Sequence, residues 1–364
     1  MNARRMRLGR REPVETTMLS TFDDGDPDLA RGPRTPLQRF GGFLGRGDGD
    51  VARVLVLLLI VVIVGLVAPN FISKASWLAL SQTATVVALL AIGQTFVIIT
   101  GGIDLSVGAV MACSAVIGAV VMRETSASGA DPSVAILLGL ATTLGVGVLA
   151  GFINGLVITK LRITPFIVTL GMLSVATGTM NLISGGAEIV GLPPQLGAIG
   201  NTPLGGWFTL PVIVTIVIAV IAAIALGQTR FGLRTFAIGS NQGAARRVGI
   251  GVDWHIIRVY VLAGSLAAVA GFLLTSRFVS ASTMAGTGME LSSIAAAVIG
   301  GASLMGGRGS VLGTMVGALI MSTLQIGLII AGIASFWQTI AIGIITVLAV
   351  YGDQIRIRYS GERS

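Results

Sequence analysis

The sequence predicts an all-α protein that crosses a membrane about ten times, and three observations carry that reading. Of its 364 residues 53% are hydrophobic and 11% charged, with a mean hydropathy of +0.90, well outside the soluble globular range. The apolar residues gather in ten runs, most of them near the ~20 residues that about 30 Å of hydrocarbon demands of a helix. The basic residues lie at the ends of those runs, overwhelmingly on one side.

The runs cover about 53–69, 77–99, 104–122, 133–157, 164–184, 210–227, 257–275, 290–303, 310–331 and 335–352. The eighth is short and rich in small residues, which fits a partial span or a re-entrant segment. Pro69, Pro132, Pro165 and Pro211 stand at or just inside run ends, where proline is tolerated. The 51 glycines suit membrane helices, whose backbones approach closely at small residues.

With an even number of spans and the N-terminus inside, every Lys and Arg can be assigned a side. All of the 24 except Lys74, Arg123 and Arg277 fall inside, so the positive-inside rule places both termini and the loop at 228–256 in the cytoplasm. Residues 1–50, rich in Arg, Asp, Gly and Pro, are expected to be a disordered cytoplasmic tail, and 357–364 a second, short one. No short apolar segment follows the early Arg pairs, so a cleavable signal peptide is not expected.

The net charge of +8 and pI near 10.9 do not point to nucleic acid, since the arginines flank apolar runs rather than alternating with aromatic and hydrogen-bonding residues. One Cys and one His exclude an internal disulfide and a Cys/His zinc site. The chain has no Gly-Lys-Ser/Thr phosphate loop; its lysines, Lys74 and Lys160, follow Ser and Thr. Gly145-x-Gly147-x-x-Ala150 matches the dinucleotide fingerprint only nominally, because it lies inside an apolar span. No paired carboxylates, nucleophile with a base or metal cluster is visible, so no catalytic, cofactor-binding or metal-binding residues are assigned. Outside the tail the acids fall at span ends or in loops, and no charge is expected at mid-depth, which counts against an ion-coupled carrier.

Gln228 to His255 is the one long polar passage within the membrane part. It holds Arg230, Arg234, Arg246 and Arg247, and Asn241 stands where it would cap a short helix with a small Ala244–Ala245 face. Such a loop is either a tether between two halves or a docking surface for a soluble partner. Gly147-x-x-x-Gly151 and Gly313-x-x-x-Gly317, each followed by a similar apolar stretch, predict an inverted internal repeat, a common plan for transporters.

Thr100 to Gly108 is the most distinctive short stretch. Gly101 and Gly102 let the chain break between two spans, and Asp104, next to Ser106, is expected to cap the following helix rather than to bind substrate. Gln94, Asn154, Asn181, Gln325 and Gln338 lie within spans. Singly they read as helix–helix bonds; as a set they suit a pathway for a polyhydroxylated solute.

Four stretches, QTFVIITGGIDLSVGAVMA, NGLVITKLRITPFIVTLGMLS, GLRTFAIGSNQGAARRVGI and IAAAVIGGASLMGGRGSVLGTMVGALI, together resemble the permease subunits of bacterial ABC importers for monosaccharides of the ribose, xylose and fructose type. The resemblance runs from about Val51 to Arg356 and leaves the tail outside. It implies a multi-pass permease domain at 51–356 in the inner membrane and a second copy of the chain. It further implies a cytoplasmic ATPase subunit that carries ATP and magnesium, and a periplasmic sugar-binding protein. Carried over, the ATPase-docking residues would be Gly232, Leu233, Arg234, Ala237, Gly239, Asn241, Ala244, Ala245, Gly249 and Ile250. The competing expectation is a stand-alone secondary sugar carrier or facilitator in which the loop is only a tether.

Overall fold

A computed structural model describes residues 49–361; residues 1–48 of the tail expected at 1–50, and the last three residues, lie outside them. The architecture is all-α. In chain order it comprises α1 (Gly49–Val67), a 3-10 turn (Pro69–Phe71), α2 (Lys74–Ile99), α3 (Val107–Ala127), α4 (Pro132–Lys160) and α5 (Pro165–Ser184). There follow α6 (Gln195–Asn201), a hairpin of β1 (Pro203–Leu204) and β2 (Phe208–Thr209), α7 (Leu210–Gln228), α8 (Arg230–Ser240) and α9 (Gln242–Arg247). The chain closes with α10 (Val252–Phe278), α11 (Met289–Ile299), α12 (Val311–Ile330) and α13 (Ser335–Gly361). Seven helices among the described residues, α2 to α5, α7, α10 and α12, are long and apolar enough to cross a membrane, and α1, α11 and α13 contain shorter apolar segments. Each of the ten expected runs is therefore a helix, with ends moved by a few residues except at the tenth, whose helix runs on past 352 to Gly361, into the tail expected at 357–364.

Local chemistry sets several ends. Ser73 accepts from the Ser76 N–H at 3.2 Å, Asp131 from Ser133 N–H at 2.8 Å ahead of Pro132, and Ser310 from Gly313 N–H at 3.3 Å, each satisfying a donor that the first helical turn leaves unpaired. The centre is α2, whose residues from Ala84 to Ile99 are all buried. Around it α10 lies along α4 by backbone approach. A side chain at Gly147 or Gly151 would collide with the carbonyls of Gly264 or Tyr260, and one at Gly155 would lie 2.6 Å from Ile257 Cα. The second Gly-x-x-x-Gly does the same on the other side, Gly313 and Gly317 meeting Gly300 and Ala296 of α11. The outward faces of α4, α5 and α7 are apolar, with Leu137, Leu182 and Ile221 exposed, a surface that lipid tails solvate without penalty.

One feature was not expected. The outer connection at 185–209 has structure of its own: α6 is tied by Asn201 Nδ2 to the Arg277 carbonyl at 2.8 Å, and the hairpin by Trp77 Nε1 to the Trp207 carbonyl at 3.0 Å. The eighth run, expected as a partial span or a re-entrant segment, is the short α11 of 11 residues, about 16 Å of rise.

Candidate functional site

The loop expected in the cytoplasm, 228–256, holds two short helices, α8 and α9. Thr229 caps α8 by accepting from the Phe231 N–H at 3.1 Å, and Asn241 caps α9 by accepting from the Ala244 N–H at 2.8 Å, the cap expected of Asn241. The inner face of α8 is clamped to the membrane helices. Thr235 Oγ1 and His255 Nε2 share a 2.8 Å hydrogen bond in the interior, and Phe231 packs between the rings of His255 and Phe96 at 4.6 and 5.9 Å. Sequence reasoning missed this clamp; the one histidine, following a loop that carries Phe and Thr four residues apart, was its only signal.

The expected docking residues divide into two groups. Gly232 and Ala245 are buried in the chain itself, with Ala237, Gly239, Ala244 and Ile250 half-buried; Leu233, Arg234, Asn241 and Gly249 are exposed. The outward face thus differs from the small Ala244–Ala245 surface expected: Ala245 turns inward at 3% exposure, while Leu233 and Val248 stand out at 71% and 77%. Beside them lie the exposed Arg230, Arg234, Arg246 and Arg247, Arg246 being paired with Asp253.

The C-terminal end of α8 enters the joint between the two helix breaks. A side chain at Gly239 would collide with the Ile99 carbonyl and lie 2.6 Å from Gly307 N, while Gly307 N–H donates to the Ile99 carbonyl at 2.9 Å. The loop therefore touches the end of α2 and the turn before α12 at one point.

The break after α2 is a closed polar knot. Asp104 Oδ1 accepts from the Ser106 N–H at 2.8 Å and from Ser106 Oγ at 2.6 Å; Asn154 Nδ2 donates to Ser106 Oγ at 3.0 Å, and Gln94 Nε2 donates to the Asp104 carbonyl. Thr169 Oγ1 accepts from the Leu105 N–H at 3.1 Å. Asp104 so forms a turn onto Ser106 rather than capping the first turn of α3, because α3 begins only at Val107. Gly101 turns at φ +82°, and Gly102 lies under the Tyr260 hydroxyl. Gln94, Asp104, Ser106 and Asn154 are all buried at 3% or less and hold helices together. The remaining residues considered for a pathway are not brought to them: Asn181 is exposed on α5, Gln325 is half-buried on α12, and Gln338 bonds the Ile333 carbonyl at 2.8 Å.

Comparison with known proteins supplies the family. The model of the family described as branched-chain amino acid transport system, permease component, matches residues 76–350. The chain belongs to this permease family. The permease is 41% identical to the ribose import permease protein of Bacillus subtilis over 87% of its own length and 93% of the relative's. It is 36% identical to the ribose import permease protein of Escherichia coli K12 over 82% and 92% of the two chains, and 33% identical to the fructose import permease protein of Rhizobium meliloti over 93% and 92%. No solved structure matches it. It is thus an ABC importer permease, a multi-pass protein of the bacterial inner membrane.

Proposed function

We propose that this permease forms the membrane pathway of an importer for a monosaccharide of the ribose or fructose kind. In this reading it works as a second-copy dimer, is fed by a periplasmic sugar-binding protein, and is driven by a cytoplasmic ATPase subunit that alone binds ATP and magnesium. The observation that carries the reading is the loop: an exposed apolar and basic face on two short helices whose opposite side is locked into the membrane core. A tether needs neither the Thr235–His255 clamp nor the Gly239 joint, whereas a transmitter of force needs both.

ATP binding on the partner closes its two copies, the docked loop moves as a body, and the joint at Ile99 and Gly307 passes the shift to α2 and α12. Such a change requires the ATPase to interact differently with the two conformations. Relatives named as ribose and fructose import permeases favour a sugar over the amino acid in the family's description.

The test is co-purification of the ATPase encoded with the permease. Leu233→Asp combined with Val248→Asp, at two exposed sites, should abolish capture of the ATPase while the melting temperature of the permease stays unchanged. Undiminished capture contradicts the docking assignment.

A further inference from the structure

We propose that the non-helical passage from Ser282 to Gly288, with Glu290 just beyond it, lines the aqueous route of the substrate, and that the Glu290 carboxylate accepts hydrogen bonds from sugar hydroxyls. The proposal rests on the import reading above and names the substrate-contacting segment within it.

After α10 ends at Phe278 the chain does not stay at the outer surface. It bends at Val279, whose φ is +52°, and proceeds through short turns, Ala285 N–H to the Ser282 carbonyl and Thr287 N–H to that of Met284. Gly286 then lies against α3, where a side chain would collide with the Gly108 carbonyl and approach Ala112 Cβ to 3.2 Å. Two independent registers fix its depth. Ser106 is bonded to Asn154, about 9 Å in from the cytoplasmic end of α4 at Lys160, and Gly108 lies further in. On the other side Gly300 meets Gly313 and Ala296 meets Gly317, an antiparallel register that sets Glu290 beside Thr323, about 18 Å along α12 from its cytoplasmic start. Both place the passage within the hydrocarbon, roughly 30 Å thick.

Irregular backbone at that depth persists only where it is buried in protein or lines water, since lipid offers it no hydrogen bonds. The break at 100–106 satisfies the first condition through the Asp104 knot. The passage at 282–288 does not: Met284 is 70% exposed, and Thr287 and, beyond the passage, Leu291 are exposed as well. Cover by a second copy would place the neighbouring Glu290 carboxylate in apolar surroundings at a desolvation cost, which favours the second condition. Glu290 is half-buried, and its Oε2 lies 2.7 Å from where a side chain on Gly108 would begin, so the absence of that side chain leaves the carboxylate its room. An acidic side chain inside a membrane marks a substrate or ion route, and a carboxylate is a strong acceptor for the hydroxyls of a neutral polyol. In this proposal the short α11 brings Glu290 inward although it opens its run in the sequence.

The experiment uses the complete importer in sealed vesicles, in a Cys113→Ala background that removes the one native thiol. D-ribose and D-fructose uptake by this parent is measured first; ATP-driven uptake there isolates the proposal from the import reading, and its absence overturns both. Thr287→Cys is then treated with a charged, membrane-impermeant methanethiosulfonate, with Val175→Cys, midway along the exposed apolar side of α5, as control. The proposal predicts Thr287→Cys labelling at least tenfold faster than the control, slowed by the transported sugar. It also predicts that Glu290→Gln lowers uptake about tenfold, the loss of a charge-assisted hydrogen bond, while the ATPase still co-purifies. Labelling no faster than the control, labelling that the sugar leaves unchanged, or unaltered uptake in Glu290→Gln overturns it.

Discussion

The Gly307 N–H donates to the Ile99 carbonyl at 2.9 Å, and Gly239 packs directly on that bond. Three segments far apart in the chain, the end of α2, the end of α8 and the turn before α12, meet there through main-chain atoms, with the Ser240 and Ile99 side chains beside them. A joint made of backbone has little slack, so a displacement of α8 is passed to both breaks at once.

Gly239→Val tests this joint. The added atoms collide with the Ile99 carbonyl, and relief by backbone shift costs about 1–3 kcal/mol, as overpacking does elsewhere. Uptake should fall by at least tenfold while the ATPase still co-purifies and still hydrolyses ATP, a shift of about 1.4 kcal/mol. Transport assays paired with ATPase assays separate this uncoupling from loss of docking.

The knot at the first break predicts a stability effect. Asp104→Ala leaves the Ser106 N–H and the Ser106 hydroxyl without their acceptor, a loss of about 1–3 kcal/mol for a buried unsatisfied group. Asp104→Asn keeps an oxygen in place and should lose less. Melting of the purified permease in detergent should rank wild type above Asp104→Asn and Asp104→Asn above Asp104→Ala.

The loop was legible in part, and the reason lies in what each residue's role depends on. Asn241 was readable because capping is local: a side chain bonding an amide three residues on needs no knowledge of the rest. The ten apolar runs and the break at Gly101–Gly102 were readable for the same reason. Ala245 was not, since which side of α9 faces inward is decided by the Thr235–His255 clamp, a contact across 20 residues. Nor was the depth of Glu290, which depends on α11 being short and on the registers of α3 and α12. A run of 290–303 reads as apolar whether it starts at the surface or midway.

The packing of α4 on α10 gives a sharper prediction. Gly151→Leu puts a large side chain where the Tyr260 carbonyl stands, and no rotamer avoids backbone. Accumulation of folded protein should drop severely, whereas Gly145→Leu, at a glycine with open space before it, should accumulate normally. Fluorescence size-exclusion profiles of the two variants decide it.

Arg246→Ala should do little to stability. Its bond to Asp253 joins side chains that are 52% and 37% exposed, and pairs of that kind contribute about 0–1 kcal/mol. A melting temperature within about 2 °C of wild type is expected, so any large fall in uptake by this variant would locate the arginine in partner contact.

The most direct test of the account is reconstitution of the permease in liposomes with and without its ATPase and binding protein, following D-ribose and D-fructose. Uptake against a gradient is expected only when both partners and ATP are present, and none by the permease alone. Sugar movement by the permease alone, without ATP and at a rate the partners do not change, would contradict it and make the loop a tether.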